Sequence, residues 1–279
     1  MDGPSASAIM NEFSLSSAAS PRAHGKLTLG DYEPEPCDAD ETLEALKLIR
    51  ILEEAGIDCC FCGVSALIYY GAERVRDEWE LCIPTQLMPK AELLLKTGRF
   101  AETYLSGLPS PHPQPQSLNH TYPRFQKRGS DFQFVLTPSW DVHLTCEPYS
   151  IQRSQLGLPY PRLGVLLQSY LETTNRVSLC DAVDGANVPE DWGHANLDLE
   201  GTNDLQWVAR MNDAILATRR EKSLLGLIPT VKISKRELWA KTIQEKGDRL
   251  GWTRPSDIFA TRFRLHGSPD PWLHDQCTY

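Results

Sequence analysis

The sequence lacks the two features that would tie the chain to a membrane or to a secretory route. No stretch approaches the roughly 18 uninterrupted apolar residues of a membrane-spanning helix. The segment before Arg22 is rich in Ser and Ala but has no apolar core of a signal peptide. We therefore predict a cytoplasmic protein without a membrane partner.

Internal repeats and strong compositional bias are also missing. Hydrophobic residues make up 41% of the 279-residue chain and charged residues 23%, which is ordinary for globular proteins. This composition excludes a collagen, a coiled coil and a wholly disordered chain. The charge is uneven, with a balance of −13 over residues 1–200 and +4 over residues 201–279. The basic end predicts either solvated surface or contact with a polyanion such as RNA.

Composition and periodicity divide the chain into three regions. Residues 1–36 are rich in Ser, Ala, Pro and Gly, which predicts a disordered N-terminal arm. Residues 37–150 mix helical and strand patterns, with one strand from Glu78 to Ile83 and another from Trp140 to Cys146. Residues 151–279 are mainly helical. We therefore predict an α/β fold with a small mixed sheet and a helical C-terminal region.

Three of the eight cysteines stand together in Cys59-Cys60-Phe61-Cys62. A C-x-x-C spacing is a weak zinc or redox signal, and a zinc site needs two further ligands. Cys82 and Cys146, on neighbouring strands, are the candidates. Because free cysteines are often buried, we interpret these thiols as core residues and keep zinc binding as the alternative.

Two pairs of polar residues mark a candidate site. Glu78 and Glu80 lie two positions apart, so a strand places both on the same face. Asp141 and His143 have the same spacing in the later predicted strand. If the two strands are neighbours, the three carboxylates converge. Such a cluster holds either a metal ion or a cationic group such as a guanidinium, and His143 is then the candidate general base.

This constellation resembles the nucleotidyltransferase superfamily, the fold of DNA polymerase β and of the aminoglycoside nucleotidyltransferases. The family pattern is a small-residue turn, a short spacer, two acids two positions apart on a strand and a third acid on a later strand. The corresponding positions hold Gly63, Ser65, Glu78, Glu80 and Asp141. The resemblance covers about residues 38–150. It implies a nucleotidyltransferase-like sheet, with the three acids as Mg²⁺ ligands if a metal is bound.

Two residues depart from the family pattern. Val64 adds bulk in the turn, where backbone N–H groups normally approach a triphosphate, and Glu78 replaces the usual aspartate. One added methylene displaces a bridging carboxylate by about an ångström, which can cost ~100-fold in rate. We therefore keep two alternatives: a Mg²⁺-dependent nucleotidyltransferase acting on a small molecule or RNA, and a catalytically inactive binding protein with this fold.

The segment also looks like a group of fungal proteins with this degenerate pattern. The similarity lies in Gly63 to Tyr70, Arg74-Val75, Cys82-Ile83-Pro84 and Tyr122-Pro123-Arg124-Phe125. We take this group to include the fungal arginine-containing cyclodipeptide synthases. The resemblance implies tRNA-dependent synthesis of an arginine-containing cyclic dipeptide in secondary metabolism. Arginyl-tRNA is then a substrate, and no cofactor is required.

Under this hypothesis the candidate residues take three roles. The catalytic candidates are Glu78, Glu80, Asp141 and His143. The substrate-binding candidates are Gly63, Ser65 and Arg74, although a serine at a helix start is also an ordinary cap. The densest basic run is expected to contact tRNA phosphates and consists of Lys232, Lys235, Arg236 and Lys241.

Overall fold

The computed structural model describes residues 36–72, 74–107, 115–218, 226–249 and 270, all within the compact unit Pro34–Tyr279. The predicted disordered arm, residues 1–36, lies outside these residues except for its last position. The described residues combine helices with a mixed sheet, so the predicted α/β class is confirmed. No helix among them has both the length and the apolar character needed to cross a membrane.

The strands of the described chain form two sheets. In chain order they are β1 (Cys60–Phe61), β2 (Trp79–Ile83), β3 (Tyr104–Ser106), β4 (Arg124–Lys127), β5 (Gln133–Pro138), β6 (Ile151–Arg153) and β7 (Pro159–Pro161). The larger sheet has the order β1-β2-β5-β4-β3, and β6 pairs with β7. β2 and β5 are parallel, while the other neighbours are antiparallel. The strand predicted from Glu78 to Ile83 is confirmed as β2 for Trp79–Ile83, whereas Glu78 lies just before the strand.

The helices are α1 (Pro36–Glu54), α2 (Gly63–Tyr69), α3 (Met88–Lys96), α4 (Gly98–Thr103), α5 (Leu163–Glu172), α6 (Arg176–Gly185), α7 (Glu190–Asn196), α8 (Leu205–Thr218), α9 (Lys235–Gln244) and α10 (Lys246–Arg249). Local sequence explains several of their bounds. In α1, Ala45, Leu48, Ile49 and Leu52 recur with helical spacing, and all four are fully buried. Gly56 follows the helix with φ +69°, the left-handed conformation that ends many helices.

The two faces of β2 bury different kinds of residue. Trp79, Leu81 and Ile83 enter the main core, which also receives residues of α1 and α3. Glu80 and Cys82 point to the opposite face, because side chains alternate along a strand. On that face Cys82 belongs to a smaller cluster of buried residues, Cys60, Cys62, Cys82, Leu144 and Cys146.

The main core continues into the helical region after residue 150. It includes Leu166 and Leu167 of α5, Leu179 of α6 and Trp239 of α9 together with residues of the sheet. The helical region therefore packs directly against the α/β region.

The strand predicted from Trp140 to Cys146 is wrong. β5 ends at Pro138, and the chain then turns, with Asp141 N–H donating to the Pro138 carbonyl at 3.0 Å. His143 has φ +50°, a left-handed conformation that a strand does not contain. Of the alternating apolar residues that suggested a strand, Val142 and Leu144 pack in the smaller cluster, whereas Trp140 packs against the cluster that contains Val208 and Met211 of α8.

Candidate functional site

Glu80 lies at the centre of the candidate site. Its side chain leaves β2 on the face opposite the main core, and the residue is half-buried. Its Oε2 accepts a hydrogen bond from Val64 N–H at 2.6 Å. The buried Ser65 Oγ accepts a bond from Glu80 N–H at 3.3 Å. Ser65 therefore links β2 to α2 within the interior, and the Glu80 carboxylate lies against the turn that opens α2.

Gly63 is required by the position of the Glu80 carboxylate. Its φ is +53°, a region that glycine adopts without a steric penalty. A Cβ at this position would lie 2.0 Å from Glu80 Oε2. Both the backbone and the neighbouring carboxylate thus exclude a side chain. In the family pattern this turn approaches a phosphate, whereas here it binds a carboxylate of the same chain.

The Glu80 carboxyl group titrates near neutrality. Burial raises its pKa from 4.5 to about 7, and the hydrogen bond from Val64 opposes this rise. The charges of Glu78 and Asp141 also raise the pKa, while that of Arg124 lowers it. The three acids predicted from the sequence are therefore close enough to interact, and we call Glu78, Glu80 and Asp141 the acidic cluster.

Arg124 borders the acidic cluster at Glu78. Its Nη2 donates to Glu78 Oε1 at 3.0 Å and to Asn119 Oδ1 at 2.9 Å. Its Nη1 donates to the Asn119 carbonyl at 2.6 Å. Only 11% of the Arg124 side chain and 20% of the Glu78 side chain are exposed. Several hydrogen bonds to Glu78 and Asn119 hold the Arg124 guanidinium in place, so a guanidinium group fits beside the acidic cluster.

Asp141 reaches the acidic cluster from the turn after β5. Burial raises its pKa from 3.8 to about 6, and the nearby Tyr122 hydroxyl lowers it. Its Oδ1 is buried and has no hydrogen bond of normal geometry to any described residue. A buried polar atom in this state is costly, so Asp141 offers an acceptor to the N–H group of a ligand.

His143 is held by a different carboxylate. Its Nε2 lies 3.2 Å from Asp204 Oδ2. Asp204 Oδ1 in turn accepts backbone N–H bonds from Gln206 at 2.9 Å and Trp207 at 3.0 Å, at the start of α8. The shared face predicted for Asp141 and His143 does not form, because both residues lie in a turn. In this arrangement His143 is part of a helix cap.

Arg74 pairs with α6 rather than with the acidic strand. Its Nη2 lies 2.6 Å from Asp181 Oδ2, and its Nε also donates to that oxygen at 2.9 Å. The Arg74 side chain is 43% exposed. The structure therefore gives Arg74 a partner away from the acidic cluster.

Lys235 is buried in the interior of the fold, where it forms two ion pairs. The residue is 5% exposed, and its Nζ lies 2.9 Å from Glu172 and 3.0 Å from Asp198. Burial opposes its charge, but these two carboxylates raise the pKa of Lys235 overall. A phosphate contact would require both ion pairs to break, so the expected tRNA contact at Lys235 conflicts with its burial.

The other residues of the basic run remain at the surface. Lys232 is exposed, Arg236 pairs with Glu200, and Lys241 lies 3.6 Å from Glu245. Exposed pairs of this kind contribute little to stability and exchange readily with solvent or a ligand. These three side chains are therefore available to a polyanion.

Tyr122 and Arg124 lie near the acidic cluster but received no role from the sequence, although both belong to the motif Tyr122-Pro123-Arg124-Phe125. Arg124 begins β4 and stands opposite Val135 of β5, and Val135 stands opposite Glu80 of β2. The register of three strands thus places Arg124 and Glu80 on the same rung. No local pattern encodes that register, so the four-residue motif was the only available signal.

The acidic cluster does not present a set of Mg²⁺ ligands in this arrangement. The ligand atoms of one metal ion lie close together. Among the described residues, the carboxylate oxygens of the acidic cluster do not all lie within 4.8 Å of one another. The Arg124 guanidinium lies against Glu78, and the Val64 N–H binds a Glu80 oxygen. The carboxylate oxygens that remain available to a ligand are hydrogen-bond acceptors suited to a nitrogen cation.

No protein-family model matches the chain, and no curated protein matches it either. The geometry of the site therefore carries the functional argument.

Proposed function

We propose that this protein joins arginine to a second amino acid in a tRNA-dependent reaction and releases a cyclic dipeptide. The observation that supports this most is the pair of half-buried carboxyls, Glu80 and Asp141, whose pKa values rise to about 7 and about 6. Among the described residues, the charged forms of Glu80 and Asp141 lack full compensation. A cationic substrate group supplies that compensation.

The acidic cluster suits a guanidinium or an α-ammonium group. Arg124 already pairs with Glu78 at 3.0 Å, so guanidinium–carboxylate geometry is available here. Asp141 Oδ1 is buried beside the Tyr122 hydroxyl and accepts no hydrogen bond of normal geometry from a described residue, so it offers an acceptor to a cationic donor of the substrate. An entering cation favours the charged form of each carboxyl and lowers its pKa. Binding of an arginyl group thus stabilises the site electrostatically.

The proposed reaction needs positioning and proton transfer. The carbonyl carbon of each substrate is already activated as a tRNA ester. The α-amino nitrogen of one aminoacyl group attacks the ester of the other, a peptide bond forms, and the tRNA oxygen leaves with a proton. The α-amino nitrogen of the other residue then attacks the remaining ester, the second tRNA leaves as its free hydroxyl with a proton, and the ring closes. Glu80, whose pKa is about 7 before a cationic group enters, is the proposed base that accepts the amine proton.

Lys232, Arg236 and Lys241 are the proposed tRNA contacts, because they remain exposed. Aminoacyl-tRNAs are cytoplasmic, and we place the reaction there. We also propose that β2, β5 and α2 form a nucleotidyltransferase-like unit, with Gly63 in its turn.

The test is an in-vitro reaction with the full-length protein, arginine, a second amino acid, tRNA, the cognate synthetases and ATP. We expect a cyclic dipeptide by mass spectrometry, and its loss after ribonuclease treatment. Once aminoacyl-tRNAs are purified, product formation should need no ATP. Product that survives ribonuclease would exclude the proposal.

Two variants test the acidic cluster directly. Glu80→Gln and Asp141→Asn preserve shape but remove charge, and each is expected to lower the rate by at least about 100-fold. Glu102→Gln is the matched control, because Glu102 is exposed and lies outside the cluster. Equal rates for the three variants would remove the acidic cluster from the mechanism.

The full-length protein and two Glu78 variants discriminate between the proposed function and the two alternative functions. A nucleotidyltransferase releases pyrophosphate from a nucleoside triphosphate, and Glu78→Asp would then keep or raise the activity while Glu78→Gln abolished it. An inactive binding protein would show neither product. The contact between Glu80 and Val64 disfavours nucleotidyl transfer, because a triphosphate at that turn must first displace the carboxylate.

A further inference from the structure

Three cysteines converge on the face of the sheet that also carries Glu80. Cys60 and Cys82 stand directly opposite each other in the β1–β2 pair. Cys146 belongs to the segment of the chain that connects β5 to β6. All three are buried, and their sulfur atoms lie within 4.8 Å of one another. Cys82 Sγ and Cys146 Sγ are 3.6 Å apart. Three segments that are distant in sequence therefore bring three thiols to one point.

The spacing of these sulfurs matches the coordination of a single ion. Atoms that all lie within 4.8 Å of one another share a point no more than about 2.8 Å from each, and zinc–thiolate bonds are about 2.3 Å. The edge of a tetrahedron built with such bonds is about 3.8 Å, close to the 3.6 Å between Cys82 and Cys146. A disulfide would need an S–S distance of about 2.05 Å. Small side-chain shifts are enough to bring all three sulfurs to bonding distance.

The surroundings provide both an apolar shell and a route of entry. Leu144, Val142 and Ile151 pack around the thiols and limit the access of water. On one side lies a cavity of about 130 Å³, whose lining includes Cys146 and Arg153. The cavity has room for a water molecule as a further ligand.

We propose that Cys60, Cys82 and Cys146 bind one Zn²⁺ ion as thiolates, with a water on the cavity side as the fourth ligand. Each thiol releases its proton to solvent as its bond to zinc forms. Thiolates select zinc and other soft ions over Mg²⁺ and Ca²⁺. Three thiolates and one dication leave a net charge of −1, and the cavity wall holds Arg153, which pairs with Glu53, together with Asp58. The ion ties the segment that carries Asp141 to the strand that carries Glu80, and so supports the acidic cluster.

The first experiment measures metal in the full-length protein, reduced, reconstituted with Zn²⁺ and freed of excess by gel filtration. We expect about one zinc per chain by elemental mass spectrometry. Cys82→Ser and Cys146→Ser should lower the zinc content at least about tenfold. Cys180→Ser is the matched control, since Cys180 lies on α6 outside the cluster, and it should keep the full content. Wild-type protein with less than about a tenth of an equivalent would refute the site.

A second measurement uses only the wild-type chain, because an unfolded variant would also lose its metal. The protein is alkylated with and without a chelator, and the modified cysteines are identified by mass spectrometry. Chelation should expose Cys60, Cys82 and Cys146 together, and added zinc should restore their protection. Protection that does not respond to the chelator, bound copper in place of zinc, or a Cys82–Cys146 disulfide would each overturn the proposal.

Discussion

The burial of Glu80 predicts that this carboxyl group destabilises the folded protein at neutral and alkaline pH. Its pKa is about 7 in the folded state and 4.5 when the group is free in water. Below pH 4.5 both states are protonated, and the group has no effect on stability. As the pH rises from 4.5 to 7, the unfolded chain releases the proton while the folded chain retains it, so the free energy of unfolding falls.

The size of the effect follows from the difference between these pKa values. Each unit corresponds to about 1.4 kcal/mol, so ionised Glu80 costs up to about 3 kcal/mol above pH 7. Glu80→Gln removes the titration but keeps an oxygen that accepts the Val64 N–H bond. Relative to the wild type, the variant should therefore gain up to about 3 kcal/mol between pH 4.5 and pH 8.

Urea unfolding followed by circular dichroism measures this difference at several pH values. The quantity of interest is the change with pH, because loss of the carboxyl alters the absolute stability in other ways. Glu102→Gln is the control, and its difference from the wild type should stay within about 0.5 kcal/mol over the same range. If Glu80→Gln shows an equally flat profile, the carboxyl is solvated in the folded protein and the electrostatic basis of the proposed site is wrong.

Three substitutions test the packing around the site and the helical region, each by urea denaturation. Gly63→Ala should cost at least about 2 kcal/mol, because a Cβ would lie 2.0 Å from the Glu80 carboxylate at φ +53°; an unchanged midpoint would mean that the turn adapts. Ser234→Ala removes the side chain that caps α9 and should cost about 1 kcal/mol, whereas Ser234→Asp, which restores an acceptor, should recover most of that loss. Lys235→Met leaves the Glu172 carboxylate without its buried partner and should cost about 2 kcal/mol, and a neutral result would indicate that the ion pair is offset by its desolvation.

The local elements near the site were largely predictable, because their signals lie within a few residues. The alternation around Trp79 and Leu81 predicted β2. The strand prediction for residues 140–146 failed although the alternation there is equally regular. A turn that begins at Pro138 and a left-handed residue at His143 override the pattern, and neither is visible in apolar periodicity.

The membership of the candidate site was only partly predictable. The two-residue spacing predicted one shared strand face for Glu78 and Glu80, but β2 begins at Trp79 and Glu78 lies just before it. Arg124 joins them because β4 and β5 pair in one particular register, and Asp141 because the chain folds back over the sheet after β5. The sequence also did not indicate the burial of Lys235, since a basic residue in a helical pattern looks exposed until its acidic partners from other segments are known.

The sequence by itself determined the α/β class and the strand β2. These features depend on backbone preferences and side-chain spacing over fewer than about ten residues. Only the tertiary structure decided that β2 lies parallel to β5, that Arg124 and Asp141 reach the two glutamates, and that three distant thiols meet. Those outcomes depend on strand register and loop paths between segments far apart in the chain, which no short-range pattern specifies.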